Sequence, residues 1–380
     1  MNMREEAAGE KNPRVCLVTG RNISCRAFQC SLYEAQDVFA EVDDVDMIHL
    51  QPKKNFESRW LWHKKLLFRD FTKKLAFVNP GLQPVRLTRE FYLFIAVCQN
   101  FWDLIHVNAV TGWKERCRTS VCWIDEAWAH DSERYKYWLP ALGKFDHVIL
   151  GLGGSVDAIS RALGRPCHHV PTAVDAIRFS PFPQPPARGI DVYSLGRRWE
   201  GVHQALRNLA EHDNIFYVFD TFQGSDAQTM DHRHHREMLA NMAKRSRYFM
   251  VGPGKFDVPE ETRGQIEIGY RYYEGAAAGT VMIGQVPKCD AFQATFDWPD
   301  AVIEIRTDGS DVAEVLSGLA AQPERLRDIS RRNSMQALLR HDWAYRWKKI
   351  LGIAGLTPAP AFEVRERCLN RLAEQAKNDL

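Results

Sequence analysis

The feature that most constrains the fold of this chain is a repeated alternation of short apolar runs with longer amphipathic segments. Runs of four to six residues, rich in Val and Ile, are typical of parallel strands buried on both faces, and the longer segments between them are typical of crossover helices. The first half therefore predicts a doubly wound α/β domain. Its runs are VCLVTG, MIHL, DLIHVN, SVCWID, DHVILG and HHVP, at 15–20, 47–50, 103–108, 120–125, 146–151 and 168–171. The segment 52–100, with WLWHKKLLF and FYLFIAV, is interpreted as a more aromatic and more helical insertion.

A second series of the same kind follows a proline-rich stretch. Four prolines between 181 and 186 resist both helix and central strand, which indicates an extended connector. The second set of runs is IDVYSLG, IFYVFD, YFMVG, VMIG and AVIEI, between 190 and 305, followed by predicted helices at 310–321, 323–340, 342–351 and 361–378. We therefore predict a first domain at 1–172, a linker at 173–189, a second domain at 190–351 and a helical tail at 352–380. A chain of 380 residues suits two cores better than one.

Composition excludes several classes of partner and location. Apolar residues make up 45% of the chain, charged residues 26%, and the net charge is +2, so a nucleic acid is not expected as the partner. Nine scattered cysteines without a C-x-x-C pair predict reduced thiols and not a disulfide framework or a zinc site. No run reaches the roughly 18 apolar residues of a membrane span, and the N-terminus has no apolar leader. The expected location is the cytoplasm.

Candidate binding residues follow the strands of the second half, because ligands of parallel sheets bind beyond the carboxyl ends of the strands. Gly196, Arg197 and Arg198 follow IDVYSL, where arginine forks and helix N–H groups can bind a diphosphate. An arginine pair on an exposed turn explains the same residues. Lys255 follows YFMVG in the segment VGPGKFDVPEE, for which a mobile surface loop is the alternative.

Glu274 stands in RYYEGAAAGTVMIG, at 271–284. A helix is predicted from Tyr270 to Ala278, with Gly279 and Thr280 ending it before the strand VMIG. A helix that only fills a core has no need of a carboxylate before a run of alanines and glycine. Glu274 is therefore expected to serve a site.

The first half offers carboxylates at one strand end. Asp125 and Glu126 end the run SVCWID, where either can accept the proton of an attacking hydroxyl, and a helix N-cap is the competing interpretation of Asp125. Gly20 begins the loop after the first strand, which is expected to face the second domain across the cleft. An ordinary βα turn is its alternative.

Three other motifs are interpreted as structural. Asp44-Val45-Asp46 resembles a D-x-D metal motif, but it precedes the strand MIHL and therefore predicts a solvated turn. The histidines of DHRHHREMLANM, at 232, 234 and 235, predict an exposed polar helix and not a metal site. The glycines of GLGG at 151–154 lack the first-strand position and the acidic partner of a dinucleotide site, so an NAD site is not expected.

An ordered set of motifs carries a resemblance to a known family. HVPTAVDAIRFSP, SLGRRWEGVHQAL, RYYEGAAAGTVMIG and RHDWAYRWKKIL, between 169 and 351, resemble the C-terminal half of the group 1 glycosyltransferases of GT-B fold, in particular the CgeB-like (spore maturation protein-like) branch. The resemblance implies two Rossmann-like doubly wound domains facing a central cleft. It also implies transfer of a sugar from a nucleotide diphosphate sugar to a hydroxyl acceptor, with no metal and no cofactor. The acceptor would be a glycan, a lipid-linked sugar, a protein or a small molecule.

The resemblance also assigns roles to residues. Arg197 matches the arginine that binds the donor diphosphate, Glu274 the glutamate that accepts from the donor ribose hydroxyls, and Gly279-Thr280 the turn beside the phosphates. Glu200 stands where many relatives have a lysine, so the second cation is expected from Arg198 or Lys255. The predicted donor-binding residues are Gly20, Gly196, Arg197, Arg198, Lys255, Glu274, Gly279 and Thr280, and the predicted catalytic residues are Asp125, Glu126 and Glu267.

Two questions stay open at this point. Relatives that retain configuration place a second glutamate eight residues before the ribose-binding one, where this chain has Ile266 with Glu267 one residue away. Retention therefore does not follow. A sugar-nucleotide epimerase or phosphorylase of the same fold and a non-catalytic glycan-binding protein are the alternative functions. The sugar, the base, the acceptor and the oligomeric state are not given by the sequence.

Overall fold

The computed structural model describes residues 13–67, 76–134, 136–213, 215–221 and 227–378. Over these ranges the strands form two parallel sheets, each with helices packed on its faces, and one short two-stranded ladder. The predicted α/β class with two doubly wound sheets is confirmed. None of the described helices is both long enough and apolar enough to cross a membrane.

The first sheet lies in the N-terminal half. Its strands, with the two of the short ladder, are β1 (Val15–Thr19), β2 (Val45–His49), β3 (Val85–Arg86), β4 (Phe91–Cys98), β5 (Val110–Thr111), β6 (Cys117–Ile124), β7 (His147–Leu150) and β8 (His168–His169). The sheet order is β2-β1-β4-β6-β7-β8 with parallel pairing throughout, and β3 pairs with β5. The helices of this half are α1 (Cys30–Val42), α2 (Phe56–Leu67), α3 (Trp113–Arg116), α4 (Asp131–Arg134), α5 (Leu139–Leu142), α6 (Val156–Leu163) and α7 (Ala176–Phe179).

Two expectations for this half are wrong. FYLFIAV is not part of a helical insertion but the central strand β4, because its aromatic and β-branched side chains fit a strand buried on both faces. DLIHVN is not a strand and lies in a 3-10 helix at Phe101–Ala109. The side chain of Asn100 accepts from the N–H of Trp102 at 2.9 Å, and Asp103 accepts from the N–H of Gln99 at 2.8 Å. These local bonds stabilise a turn in place of a ladder.

The second sheet lies in the C-terminal half. Its strands are β9 (Ile190–Ser194), β10 (Tyr217–Phe219), β11 (Ser246–Val251), β12 (Val281–Gly284) and β13 (Ile303–Glu304). They pair in parallel in the order β10-β9-β11-β12-β13, so the strand order reverses between β9 and β11. The helices are α8 (Glu200–His212), α9 (His232–Lys244), α10 (Pro259–Thr262), α11 (Tyr270–Ala277), α12 (Asp290–Thr295), α13 (Val312–Ala320), α14 (Pro323–Arg340), α15 (Trp343–Ile353) and α16 (Ala361–Asn378). Ligands of such sheets bind beside the reversal point.

The chain returns to the first sheet after it completes the second. The ring of Trp347 on α15 stacks on Phe39 of α1 with 4.1 Å between ring centres, and it meets Trp123 of β6 edge-on at 5.3 Å. The indole N–H of Trp347 donates to the carbonyl of Ala35 at 2.7 Å. Burial of these large aromatic surfaces places α15 in the core of the first sheet. The predicted domain boundaries, including the one at 351, stay a prediction.

Candidate functional site

A cleft of about 1120 Å³ lies between the two sheets and is bordered by the carboxyl ends of their strands. The first sheet contributes the loops after β6 and β7, and the second contributes the loops after β9 and β11 together with the start of α11. Because these loops meet at one place, side chains far apart in the sequence face the same space. The cleft is therefore the candidate active site.

The loop after β9 presents two arginines to the cleft. Gly196 has a φ of +85°, which favours glycine, and its N–H donates to Asp220 Oδ2 at 3.1 Å. The guanidinium of Arg198 pairs with Asp220 and lies 5.6 Å from the ring centre of Phe219. Arg197 pairs with Asp257 at 2.5 Å, and its side chain keeps 39% of its surface exposed. Arg197 is thus the more accessible cation of the two.

Lys255, on the loop after β11, joins the two halves of the cleft. Its Nζ lies 2.6 Å from Glu126 Oε1 and 2.8 Å from Glu261 Oε2. Burial opposes the charge, but the two carboxylates outweigh it and raise the pKa of Lys255. The indole N–H of Trp128 also donates to Glu126 Oε1, at 3.0 Å. Lys255 therefore carries a charge in the cleft, and Glu126 is already engaged by two donors.

Asp125 is buried in the wall of the cleft. Its Oδ2 accepts from Gln99 Nε2 at 2.9 Å and from the hydroxyl of Tyr270 at 2.8 Å. Burial raises the pKa of Asp125 to about 7, and the hydrogen bonds from Tyr270 and Gln99 only partly offset it. Its recorded partners in the described ranges are side chains and not the N–H groups of a helix start, so the N-cap interpretation does not apply. A carboxylate with a pKa near neutrality suits proton transfer.

Glu267 lines the cleft where the two halves touch. Its Oε1 accepts from the N–H of Gly154 at 2.8 Å and from Gln265 Nε2 at 2.6 Å. Burial raises the pKa of Glu267, and these hydrogen bonds act in the opposite direction. Gly154 follows β7, so Glu267 connects the second half of the chain to the first.

Glu274 does not line the cleft as a ribose ligand would. It is fully buried in the second turn of α11, and its two oxygens pair with Arg236 and Arg271. Burial acts against the charged form, but Arg271 and Arg236 together lower the pKa of Glu274 to about 2. Because Glu274 is fully buried and is not among the residues that line the cleft, its carboxylate is not presented to ribose hydroxyls there. Arg197, which the resemblance assigns to the same donor, pairs with Asp257 and not with Glu274.

The expectation that the turn at Gly279 and Thr280 lies beside the phosphates is also wrong. It precedes β12, so it lies at the edge of the sheet opposite the cleft. Gly279 has a φ of +61°, and its carbonyl accepts from Arg188 Nη2 at 2.7 Å. The hydroxyl of Thr280 donates to the carbonyl of Gly275 at 3.0 Å. The two residues end α11 and do not face phosphates in the cleft.

Gly20 lies outside the main cleft as well. It lines a separate cavity of about 30 Å³ in the first half of the chain. The next residue, Arg21, pairs with Asp37 of α1 at 2.8 Å, which holds the loop against that helix. The segment at 26–28, a few residues later, reaches the cleft instead.

The structure adds residues that the sequence did not single out. Arg271 lines the cleft one turn before Glu274, and the spacing of three residues in RYYE was the available signal. Helix α9 packs against α1, so the expected exposed helix is wrong for His232, which is buried and lies 2.9 Å from Asp37. Across the described ranges no cluster of three His, Cys, Asp or Glu side chains has the geometry of a metal site.

Comparison with known proteins finds one family match, in the second half of the chain. Residues 185–352 match the family described as glycosyl transferase-like. No curated protein matches the chain by sequence.

Solved structures share the fold over nearly the whole chain. An alpha-glucosyltransferase in complex with UDP and a 13-mer DNA has a TM-score of 0.51 at 11% identity, covering 90% of this chain and 99% of the other. An alpha,alpha-trehalose-phosphate synthase (UDP-forming) from Burkholderia xenovorans, in complex with glucose-6-phosphate, has a TM-score of 0.53 at 10% identity, covering 90% and 100%. An OtsA apo structure has a TM-score of 0.55 at 10% identity, covering 91% and 100%. Residues 185–352 thus resemble a glycosyl transferase-like domain, and the chain shares the GT-B fold of these solved structures.

Proposed function

We propose that the protein uses this cleft to transfer a sugar from a nucleotide diphosphate sugar to a hydroxyl acceptor, with side chains and not a metal balancing the charge of the leaving diphosphate. The observation that carries the proposal is the gathering of Arg197, Lys255 and Arg271 at the carboxyl ends of β9 and β11. A diphosphate that leaves during transfer gains negative charge, and preorganised cations stabilise that charge most effectively in a partly desolvated site.

Two helix starts support the same assignment. Helix α8 begins at Glu200 and α11 at Tyr270, and both residues line the cleft. The first N–H groups of a helix have no partner within the helix and carry partial positive charge, so they favour an anion. The cations and the helix starts therefore attract the same part of the donor.

Asp125 is the proposed base. Its pKa of about 7 lets it ionise at neutral pH and still accept a proton from an acceptor hydroxyl. Glu126 is better placed to hold Lys255 than to accept a proton, since Lys255 and Trp128 both engage its Oε1. Glu267 remains a second catalytic candidate because its carboxylate also lines the cleft.

The donor and the finer classification are proposals as well. UDP is present in the complex of the alpha-glucosyltransferase, and the trehalose-phosphate synthase is UDP-forming, so a uridine diphosphate sugar is the first donor to test. The motifs between 169 and 351 support a place in the CgeB-like branch. All nine cysteines lie in the described ranges and are free thiols, which supports a reducing compartment such as the cytoplasm.

Calorimetric titration with UDP, GDP, ADP and dTDP tests the donor site directly. We expect one of them to bind, and we expect Arg197→Ala to weaken it by about 10-fold or more, the effect of losing a charged hydrogen bond. Arg247→Ala is the matched control, because Arg247 is an exposed arginine paired with Asp191 at 3.2 Å near the other end of β11. Folded protein that binds none of the four would refute the proposal.

Incubation with the corresponding nucleotide sugars then identifies the reaction. Slow release of free sugar without an acceptor indicates a transferase. Formation of an epimer, or of a sugar 1-phosphate when inorganic phosphate is added, would indicate the epimerase or phosphorylase alternatives instead.

A further inference from the structure

Arg271 is held in the cleft wall from two sides. Its Nε donates to the carbonyl of Leu195 at 3.2 Å, and its Nη1 pairs with Glu274. Its Nη2 points at the turn after β9, since a Cβ built on Gly196 would lie 3.9 Å from it. Among the described residues, no protein acceptor is recorded for Nη2. Arg271 thus keeps one donor edge for a ligand at the turn that presents Arg197.

Glu274 is itself fixed by a buried network. Its second oxygen pairs with Arg236, whose side chain is 2% exposed. Arg236 reaches Glu34 of α1, with Nε–Oε2 at 2.8 Å and Nη2–Oε1 at 3.1 Å. Glu34 Oε1 also accepts from the indole N–H of Trp343 at 3.1 Å. Two carboxylates and two guanidiniums therefore alternate from the first half of the chain to the cleft.

From this geometry we infer that Arg271 is a ligand of the donor diphosphate. Glu274 is the residue that positions Arg271, and it acts on the donor through Arg271 and not by direct contact. The inference rests on the proposed function. A guanidinium held on two sides loses little side-chain freedom when an anion binds, so more of the interaction energy appears as affinity. Glu274 supplies that restraint and compensates the charge of Arg271 when the site is empty.

The inference differs from a direct ribose contact in a measurable way. If Glu274 bound the ribose hydroxyls, a nucleotide without those hydroxyls would bind the wild type more weakly. Substitution of Glu274 would then abolish that difference in affinity. If Glu274 acts through Arg271, the difference in affinity between the two nucleotides is the same in the wild type and in the Glu274 variant. The effect of Glu274 on affinity is instead shared with Arg271, so that the two substitutions are not additive.

The experiment measures Kd for the nucleoside diphosphate that binds the wild type and for its 2′,3′-dideoxy analogue. The proteins are wild type, Arg271→Gln, Arg271→Lys, Glu274→Gln and the double variant with both Gln substitutions. We expect Arg271→Gln to weaken the diphosphate about 10- to 100-fold, as for a charged hydrogen bond, and Arg271→Lys to restore part of the loss. The double variant is expected to match Arg271→Gln, and the dideoxy penalty is expected to be the same in all five proteins. Arg247→Gln is the control and should bind like the wild type.

Three outcomes overturn the inference. Wild-type affinity in Arg271→Gln removes Arg271 from the donor site. If Glu274→Gln binds the dideoxy analogue as tightly as the parent nucleotide, Glu274 contacts the ribose directly. If the losses of binding free energy add in the double variant, the two residues act on the donor independently. If Glu274→Gln does not fold, the Arg271 variants still decide, because Arg271 is partly exposed and the buried Glu274 keeps its pair with Arg236 when Arg271 is replaced. A wild type that binds no nucleotide would instead refute the proposed function itself.

Discussion

The Nζ atom of Lys255 lies 2.6 Å from Oε1 of Glu126, so one ion pair joins the loop after β11 to the loop after β6 across the cleft. The same ammonium lies 2.8 Å from Glu261 and 5.6 Å from the ring centre of Trp128. A phosphate that binds Lys255 must compete with both carboxylates. Under the proposed function, the contact between the two sheets and the affinity for the donor therefore depend on the same lysine.

Glu126→Gln is expected to strengthen binding of the nucleoside diphosphate. The substitution removes one competitor for Lys255, and an ion pair whose side chains are about one quarter exposed contributes about 1 kcal/mol, or roughly fivefold in Kd. Titration calorimetry measures the change, which should shrink at high salt. Asp300→Asn, which breaks an ion pair with Arg325 far from the cleft, is the control. Weaker binding by Glu126→Gln would contradict this expectation and would show that Glu126 itself contacts the nucleotide.

The proposed role of Asp125 as the base predicts a pH dependence of the transfer rate. Because its pKa in the folded protein is about 7, the fraction able to accept a proton rises as the pH increases through that value. We expect the transfer rate to rise between pH 6 and 8 in proportion to that fraction. Asp125→Asn should lose about 100-fold or more at pH 8 and lose the pH dependence. A rate profile that is unchanged in Asp125→Asn would assign the base to Glu267 or to another group.

The same pKa predicts an opposite trend in stability. The carboxyl binds its proton more tightly in the folded state than in the unfolded state, where the pKa is about 3.8. Its contribution is fully present below that value and is lost as the pH rises toward about 7. Asp125→Asn cannot ionise, so its free energy of unfolding relative to wild type should increase by about 4 kcal/mol between pH 4 and pH 8. Urea denaturation at the two pH values measures the difference, and a constant difference would contradict the raised pKa.

The sequence placed correctly the cleft residues that follow strands, and it misplaced the two residues that follow helix α11. Arg197, Lys255, Asp125 and Glu126 all reach the cleft, because each follows a strand whose apolar run was evident and the carboxyl ends of parallel strands share one edge. Gly279 and Thr280 follow a helix and precede a strand, so the same rule places them at the opposite edge.

The partners of Glu274 were beyond sequence reasoning for a different reason. Arg236 is 38 residues away, and the Glu34 that completes its pairing is 202 residues from Arg236. No local pattern specifies which helices bring such residues together, since that depends on how α1 and α9 pack. The aromatic run FYLFIAV was ambiguous in a similar way, because a short apolar run fits a buried helix or a buried strand equally well.

Glu274→Ala is expected to destabilise the protein, contrary to what a ribose ligand would do. The substitution leaves the fully buried Arg236 with one carboxylate in place of two, and breaking a buried ion pair costs about 3 to 5 kcal/mol. Urea denaturation at pH 7 measures the loss. Glu363→Ala, which removes an exposed glutamate 3.8 Å from Arg367, is the matched control and should change stability by less than about 0.5 kcal/mol.

Acid titration gives an independent measure of the same pairing. The pKa of Glu274 is depressed to about 2 from 4.5, so its stabilising contribution is present above the unfolded value and is lost as the pH falls toward 2. Wild type should therefore lose more stability than Glu274→Gln over that range. Equal losses in the two proteins would show that Glu274 is not held by the two arginines.

Gly151→Ala is expected to damage catalysis through Asp125. A Cβ at Gly151, in the loop after β7, would lie 2.3 Å from the carbonyl oxygen of Asp125, so one of the two loops must move. A displacement of about 1 Å in a catalytic group costs on the order of 100-fold in rate, and a strained insertion of this kind costs about 1 to 3 kcal/mol of stability. Binding of the nucleoside diphosphate should change by no more than the roughly fivefold effect of losing the pair between Glu126 and Lys255, because Arg197 lies on another loop. Gly318→Ala, at a helical glycine with no atom within 4 Å of the added carbon, is the control and should be neutral or stabilising. Full activity and unchanged stability in Gly151→Ala would mean that the backbone of Asp125 is not fixed by this contact.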